Sequence, residues 1–350
     1  MAGRKFSIEE YFNTRCAEIQ PLYSFDATNE KQARTWRGRA LAKIRDLLGE
    51  MPDPVQLCAE VVDAADMGTY VREKVIFDSD THSSVPGYIL VPKGIDTPMP
   101  TVLCLHGHGP GKGAVAGVDE ADGSCTRAKM REAIKKYNYD YARKFAERGY
   151  VTFTFDFRCF GERNPGVDMC SGRDPCNVHF IRGALLGINL LTLNIHDAIR
   201  ALDYLETRPE VDPKRIGCVG LSFGGTMTMW TTLLDKRIKA AVVSGYLCEF
   251  ESFAIRMGNF CGSQFVPTLR RYFDMCDIMS LIAPRPLLVQ SGISDQGFPV
   301  ESARKAFGRL KKTYEVWNAA DRIKHDLFEG GHQFHDDTAF KWIDEWLPHE

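Results

Sequence analysis

Three residue types that together perform acyl transfer stand far apart in this chain, each in a local pattern that presents a side chain. Ser222 lies in Gly220-Leu221-Ser222-Phe223-Gly224, after the apolar run Arg215 to Val219 and before Gly225 to Leu234, which reads as a buried helix. Strand, tight turn and helix is the setting in which G-x-S-x-G lifts a hydroxyl above a sheet edge. The flanking glycines are expected where a Cβ would strike the neighbouring strand or helix. A hydroxyl is a weak nucleophile at neutral pH, so it needs a base, and the base needs a partner to fix its tautomer. Asp295, in Ser291-Gly292-Ile293-Ser294-Asp295-Gln296-Gly297, follows an apolar run opened by Pro286; His332, in Gly330-Gly331-His332-Gln333, follows the last apolar run.

Each member has a plainer reading. A Gly-Ser loop occurs in many α/β proteins, and a lone Asp after a strand is more often a turn former. Asp277, Asp321 and Asp326 are acidic rivals and His335 is a rival base, but Asp326 falls within a strand and the glycine pair precedes His332 rather than His335. The conjunction is more specific than any member.

Acyl transfer also needs N–H donors for a developing oxyanion, each worth about 2.7–4 kcal/mol in measured enzymes. Phe223 N–H, at the start of the helix, is the expected first donor. Leu105-His106-Gly107-His108-Gly109-Pro110-Gly111 follows a strand and offers the second, His108 N–H, with Gly109 as the alternative. His106, Gly107 and Gly109 are expected to line the substrate side. The same stretch does not meet the spacing of a phosphate-binding loop. His106-x-His108 resembles a metal pair, but a coherent set of further ligands is missing, so no metal and no cofactor are expected. Asp156-Phe157-Arg158-Cys159-Phe160-Gly161-Glu162-Arg163 reads as a salt-bridged loop bracing the pocket floor, and His179 and His196 as structural histidines.

These residues must be positioned by alternating elements. Residues 5 to about 66 read as helical, so residues 1–68 are expected to form an N-terminal helical extension. Val71 to Phe77 and Gly87 to Val91 predict a strand pair. From Thr101 to Leu105 onward the rhythm is strand, loop, helix, which predicts parallel strands with crossover helices over residues 69–350. Helices are expected at Tyr137 to Arg148 and Leu185 to Glu206. Strands are expected at Tyr150 to Phe155, Lys239 to Val243, Pro286 to Gln290 and Ile323 to Phe328. Insertions fall near 156–180 and 245–273; the second carries Tyr246 and Phe250, expected to contact substrate if it forms a lid and to pack inward if it does not.

The 350 residues, 44% hydrophobic, suffice for a large core. With 44 basic against 46 acidic residues and no long Lys/Arg run, nucleic acid and anionic membrane are not expected partners, and a small molecule is. A homo-oligomer is compatible with these numbers. The first residues lack the apolar core of an export signal and no run reaches a membrane span, so a cytoplasmic location is expected. Eleven cysteines without a C-x-x-C read as free thiols, with Cys170 and Cys176 the one pair close enough to watch for a bridge or a metal.

The match over Leu103 to Gly109, Asp156-Phe157-Arg158, Gly220 to Gly225, Asp295 and Gly331-His332 resembles the α/β-hydrolases of the dienelactone hydrolase and acetyl xylan esterase type. Ser222, Asp295, His332 is also the chain order of that fold. The resemblance covers roughly residues 70 to 345, and the first 65 match only in general character. It implies carboxylic ester hydrolysis without a cofactor, with Ser222 as nucleophile, His332 as base and Asp295 as its orienting acid. Dienelactone hydrolases proper use cysteine as nucleophile, so serine favours the esterase branch. A peptidase or amidase on the same three residues, a metal-dependent hydrolase and a non-catalytic binding protein are the alternatives.

Overall fold

The computed structural model describes residues 5–118, 126–164 and 174–349. Two helices open it, α1 (Ile8–Glu18) and α2 (Glu30–Leu48). α2 buries Ala33, Trp36, Ala40, Ile44 and Leu48, the spacing of one helix face. It begins at Asn29, whose side chain accepts from Gln32 N–H, and ends at Gly49 with φ 74°. The expected helical character stops there. Pro52 and Pro54 forbid continuation, and β1 (Glu60–Asp66) is an antiparallel strand at the sheet edge. Glu60, Asp63 and Asp66 charge that exposed edge, which protects it from pairing with other chains and erases the alternation a half-buried strand would show.

β2 (Tyr70–Asp80) and β3 (Ser83–Pro92) form the expected antiparallel pair. Then follow β4 (Met99–Leu105), α3 (Lys112–Val115), α4 (Arg127–Tyr137), α5 (Tyr141–Glu147), β5 (Val151–Phe155), α6 (Pro175–Leu186), α7 (Leu190–Glu206), β6 (Val211–Leu221), α8 (Phe223–Leu234), β7 (Ile238–Ser244), α9 (Met275–Met279), β8 (Leu287–Gly292), α10 (Val300–Val316), β9 (Ile323–Phe328) and α11 (Asp336–Trp346). The helices expected at Tyr137 to Arg148 and Leu185 to Glu206 begin later, at Tyr141 and Leu190, and each follows a helix that was not expected, α4 and α6. Asn138, left-handed at φ 53°, separates α4 from α5, and its amide donates to Phe334 O. Gly187, at φ 73°, ends α6, and the chain turns through 101° into α7. The stretch 245–273 holds a π-helical turn, Glu251–Arg256, and a 3-10 turn, Leu269–Arg271.

Among the described residues the sheet has nine strands in the order β1-β2-β3-β5-β4-β6-β7-β8-β9, antiparallel up to the β3–β5 pair and parallel from β5 to β9. The chain runs outward from β4 to β5 and then returns to the other side of β4 for β6. The carboxyl ends of β4 and β6 therefore flank the switch point at which open α/β sheets build their sites. Leu103, Leu105, Cys218, Ala241 and Val289 face α7, α8 and α10, whereas Val102, Cys104, Val219, Val242 and Leu288 face α5 and α11. Coverage of both faces explains why the central buried segments of these strands are apolar, each fully buried aliphatic side chain contributing about 1.5–3 kcal/mol. No single helix among the described residues is long and apolar enough to cross a membrane.

Candidate active site

Ser222 sits between β6 and α8 with φ 64° and ψ −122°, a conformation that costs a non-glycine residue about 1–3 kcal/mol and persists only where the surroundings enforce it. The surroundings here are backbone. A Cβ on Gly224 would lie 2.0 Å from Leu105 O, and one on Gly220 would lie 2.4 Å from the Gly224 carbonyl. The turn can therefore press α8 onto β4 only with glycine at both places. Ser222 N–H is tied to Ser244 O at 2.9 Å, and Phe223 N–H is the first N–H of α8, without a carbonyl in its own helix.

The loops after β8 and β9 meet beside it. Ile293 N–H donates to Phe328 O and Ser294 N–H to Gly330 O, and a Cβ on Gly292 would lie 2.2 Å from Gly331 O. This contact sets Asp295 against His332, with Oδ2 2.7 Å from Nδ1. The other carboxylate oxygen accepts from Gly297 N–H at 2.8 Å and Phe298 N–H at 3.1 Å, so the buried Asp295 has one oxygen reserved for the ring. Phe298 stacks on His332 with centroids 5.4 Å apart and planes 8° apart. The ring also passes close to Gly245, at φ 54°, where a Cβ would come within 3.0 Å of it.

Ser222, Asp295, His332 and His108 all line one cavity of about 620 Å³. Its walls also include Lys136, Tyr137, Tyr139, Phe253, Phe260 and Phe298, with amides from Asn259, Gln264 and Gln296. Of these, Phe253 and Phe260 belong to the aromatic stretch 245–273 expected to form either a lid or an inward-packed insertion; the other wall residues were not singled out from sequence. Phe298 had a signal, three residues past Asp295 in the same turn; the rest come from segments without periodicity.

The other expected site residues do not line this cavity. His106 is fully buried: its Nε2 accepts from Phe157 N–H at 3.0 Å, so its proton is on Nδ1, which donates to Gly107 O at 2.8 Å. Burial pushes its pKa down and keeps it neutral. Both nitrogens are committed, so His106 cannot pair with His108 on a metal. Gly107 donates to the Tyr139 hydroxyl at 2.8 Å, and a Cβ there would lie 2.7 Å from Leu221 O. Gly109 is exposed beside Pro110 and Lys136 in a neighbouring depression. Tyr246 and Phe250 are buried, Tyr246 against Phe298 and Phe250 against Phe260, and neither lines the cavity.

The rivals find other partners. Asp326 pairs with His335 at 2.7 Å, while Asp277 completes the capping box that starts α9. His196 bonds Ser79 O at 3.0 Å. The charged loop after β5 is a buried network: Asp156 meets Lys112, and Asp197 meets Arg158 and Arg163. Burial pushes the Asp197 carboxyl up, but Arg163, Arg158 and the Ser79 hydroxyl outweigh it and hold it well below the usual range. Cys170 lies outside the described residues. Cys176 is buried, and its sulfur stands with Cys261 and His108 at the edge of the cavity.

The sequence profile of the Abhydrolase family matches residues 2–329. A relative from Bacillus subtilis (strain 168), named "Putative hydrolase YtaP", is 30% identical over 315 residues, covering 86% of this chain and 96% of its own length. Among solved structures, "a putative acetyl xylan esterase" from Bacteroides fragilis NCTC 9343 superposes with a TM-score of 0.77 at 22% identity, over 93% of this chain and 83% of that one. The glucuronoyl esterase from Solibacter usitatus superposes with a TM-score of 0.68 at 18% identity, over 94% of this chain and 98% of its own. At such identities the likeness to the two solved structures is one of fold.

Proposed function

The chain belongs to the Abhydrolase family, and from that premise we propose that it is a serine hydrolase of small carboxylic esters. The observation that carries this reading is the 2.7 Å Asp295–His332 pair opening into the same cavity as a serine held at positive φ. With Nδ1 bonded to Asp295, His332 has Nε2 free to take the Ser222 proton as the oxygen attacks the acyl carbonyl. The oxyanion that forms is received by the N–H groups of Phe223 and His108. Collapse expels the alcohol, which takes the proton from His332, and leaves an acyl-serine. His332 then deprotonates a water that attacks this ester and releases the acid.

The cavity wall supports a polar substrate with a short acyl group. Phe253, Phe260 and Phe298 give an apolar side, and Lys136, Asn259, Gln264 and Gln296 supply donors for a hydroxylated alcohol portion. The esterase names of the solved neighbours point the same way.

Labelling with a fluorophosphonate and mapping of the modified peptide tests the reading. The expected result is one adduct on Ser222, absent in Ser222→Ala, with hydrolysis of acetyl esters abolished in that variant. Labelling at another serine, or unchanged ester hydrolysis by Ser222→Ala, would remove the mechanism. Equal turnover of peptide amides would replace the esterase reading with an amidase.

A further inference from the structure

We propose that His108, Cys176 and Cys261 form a binding site for a thiophilic divalent cation, with zinc the best-fitting ion. The three side chains come from separate parts of the chain: the loop after β4, the first turn of α6, and the irregular stretch after the π-helical turn. Nothing in local sequence requires them to meet, yet their donor atoms all lie within 4.8 Å of one another. His108 Nε2 is 2.8 Å from Cys261 Sγ.

The donor set selects the ion. Two thiolates and a neutral imidazole carry two negative charges, which a divalent cation neutralises, and soft sulfur excludes magnesium and calcium. Tetrahedral zinc, with bonds of about 2.3 Å to sulfur and 2.0–2.1 Å to nitrogen, holds its ligand atoms about 3.5–3.8 Å apart. The His108–Cys261 contact has to widen by about 1 Å, and Cys176, within 4.8 Å of both, has to draw in by at most about as much. Movements of that size fall within rotamer adjustment of an exposed imidazole and two thiols.

The surroundings suit the charged form. The Ser263 hydroxyl is 2.8 Å from Cys261 Sγ and can donate to a thiolate. Cys176 lies in the first turn of a helix of 12 residues, where N–H groups favour negative charge. His108 and Cys261 line the cavity, which gives an ion its way in. In the ion-free cluster the thiols stay protonated, Cys176 pushed up by the neighbouring Cys159 thiol and Cys261 by the neighbouring Cys176 thiol, with burial adding to both. Binding therefore exchanges two thiol protons for one cation, and the protons leave to solvent.

The consequence is a clamp. The ion would join the loop carrying His108 to the start of α6 and to the cavity wall at Cys261, tying together three segments that the sheet alone leaves separate. This holds whether or not Ser222 is the nucleophile.

The test uses the full chain, stripped with chelator under reducing conditions and titrated with Co²⁺ and then Zn²⁺. The expected result is one Co²⁺ per chain with a thiolate-to-cobalt charge-transfer band, displaced by Zn²⁺. Cys176→Ser, Cys261→Ser and His108→Gln should each weaken binding by on the order of 100-fold or more. Cys58→Ser, at an exposed thiol, should bind as the parent does. Absence of the band in folded protein, or parental affinity in the Cys176→Ser/Cys261→Ser double variant, overturns the proposal. So does a Cys176–Cys261 disulfide in protein prepared without reductant, if the reduced form takes up no ion.

Discussion

Asp295→Asn separates an orienting carboxylate from a passive hydrogen-bond partner. One oxygen of Asp295 accepts two backbone N–H groups, from Gly297 and Phe298, and the other faces His332 Nδ1. An asparagine would keep its carbonyl toward the two N–H donors, because reversing the amide leaves both unsatisfied at about 1–3 kcal/mol each. Its NH₂ would then point at Nδ1 and require that nitrogen to accept. The ring proton moves to Nε2, and His332 can no longer take the Ser222 proton. Reaching the productive tautomer through the reversed amide costs about 2–6 kcal/mol, or a factor of about 30 to 3 × 10⁴ at 1.36 kcal/mol per tenfold. The upper end meets the roughly 10⁴-fold loss in kcat known for this exchange in a serine protease. The assay is the initial rate on a chromogenic acetyl ester near pH 7.5, with thermal unfolding as the control for folding. Because the side chain keeps its volume, KM should stay within about threefold and the loss should fall on kcat. Asp326→Asn, in the second His–Asp pair, should change kcat by less than about twofold. A loss under about tenfold in folded Asp295→Asn, or an equal loss in Asp326→Asn, would refute the assignment.

Two further outcomes follow from packing and from burial. Gly224→Ala places a methyl group 2.0 Å from Leu105 O, so α8 must withdraw from β4; a loss of at least about 1–3 kcal/mol in urea unfolding is expected, together with slower labelling of Ser222 by fluorophosphonate. His325, held at about 4 mainly by burial and secondarily by Arg304, is neutral in the fold but gains a proton on unfolding below its ordinary value near 6.5. Its contribution is therefore present above about pH 6.5 and is lost as pH falls toward 4. Between pH 7 and pH 5 that loss is on the order of 1 kcal/mol after allowing for its partial exposure, and His325→Gln should lower the pH dependence of urea unfolding by that amount.

The parallel half of the fold was legible because both sheet faces are covered, which leaves short apolar runs that end in glycine-rich turns. Gly220 and Gly224 advertised the Ser222 turn for a reason the structure makes explicit, since each stands where another backbone occupies the place of a Cβ. β1 was not legible, because an exposed, charged edge strand has no apolar alternation. α4 and α6 were missed because each buries only two side chains, Met130 and Ala133 in one and Cys176 and Val178 in the other, too few to set an apolar period. Tyr246 and Phe250 illustrate another limit: in a stretch without periodicity, composition does not say which aromatics face inward, and Phe253 and Phe260 reached the cavity in their place. The thiol cluster was invisible for a simpler reason, since its ligands are separated by 68 and 85 positions along the chain.

The buried charges after β5 make most sense as positioning devices. A buried ion pair gains little over apolar packing because desolvation offsets its attraction, so the fully buried Lys112–Asp156 pair is a weak argument for stability. Burial pulls Lys112 down, yet Asp156 and Glu162 outweigh it and keep the ammonium charged. What the pair fixes is geometry. Asp156 accepts from the Lys112 N–H and from the Glu162 N–H, and Cβ atoms on Gly111 or Gly161 would lie 2.3 Å from its oxygen. The end of the loop after β4 is thus fastened to the loop after β5, while its beginning is fastened by the His106 ring and the Tyr139 hydroxyl. Between these anchors stands His108, the proposed second oxyanion donor; in that role its peptide needs to be in place before charge develops, since a donor that reorganises during the reaction returns part of what it contributes. With the backbone held at both ends, the imidazole of His108 is the part of that residue still free to move, and it is the part that turns toward the two thiols.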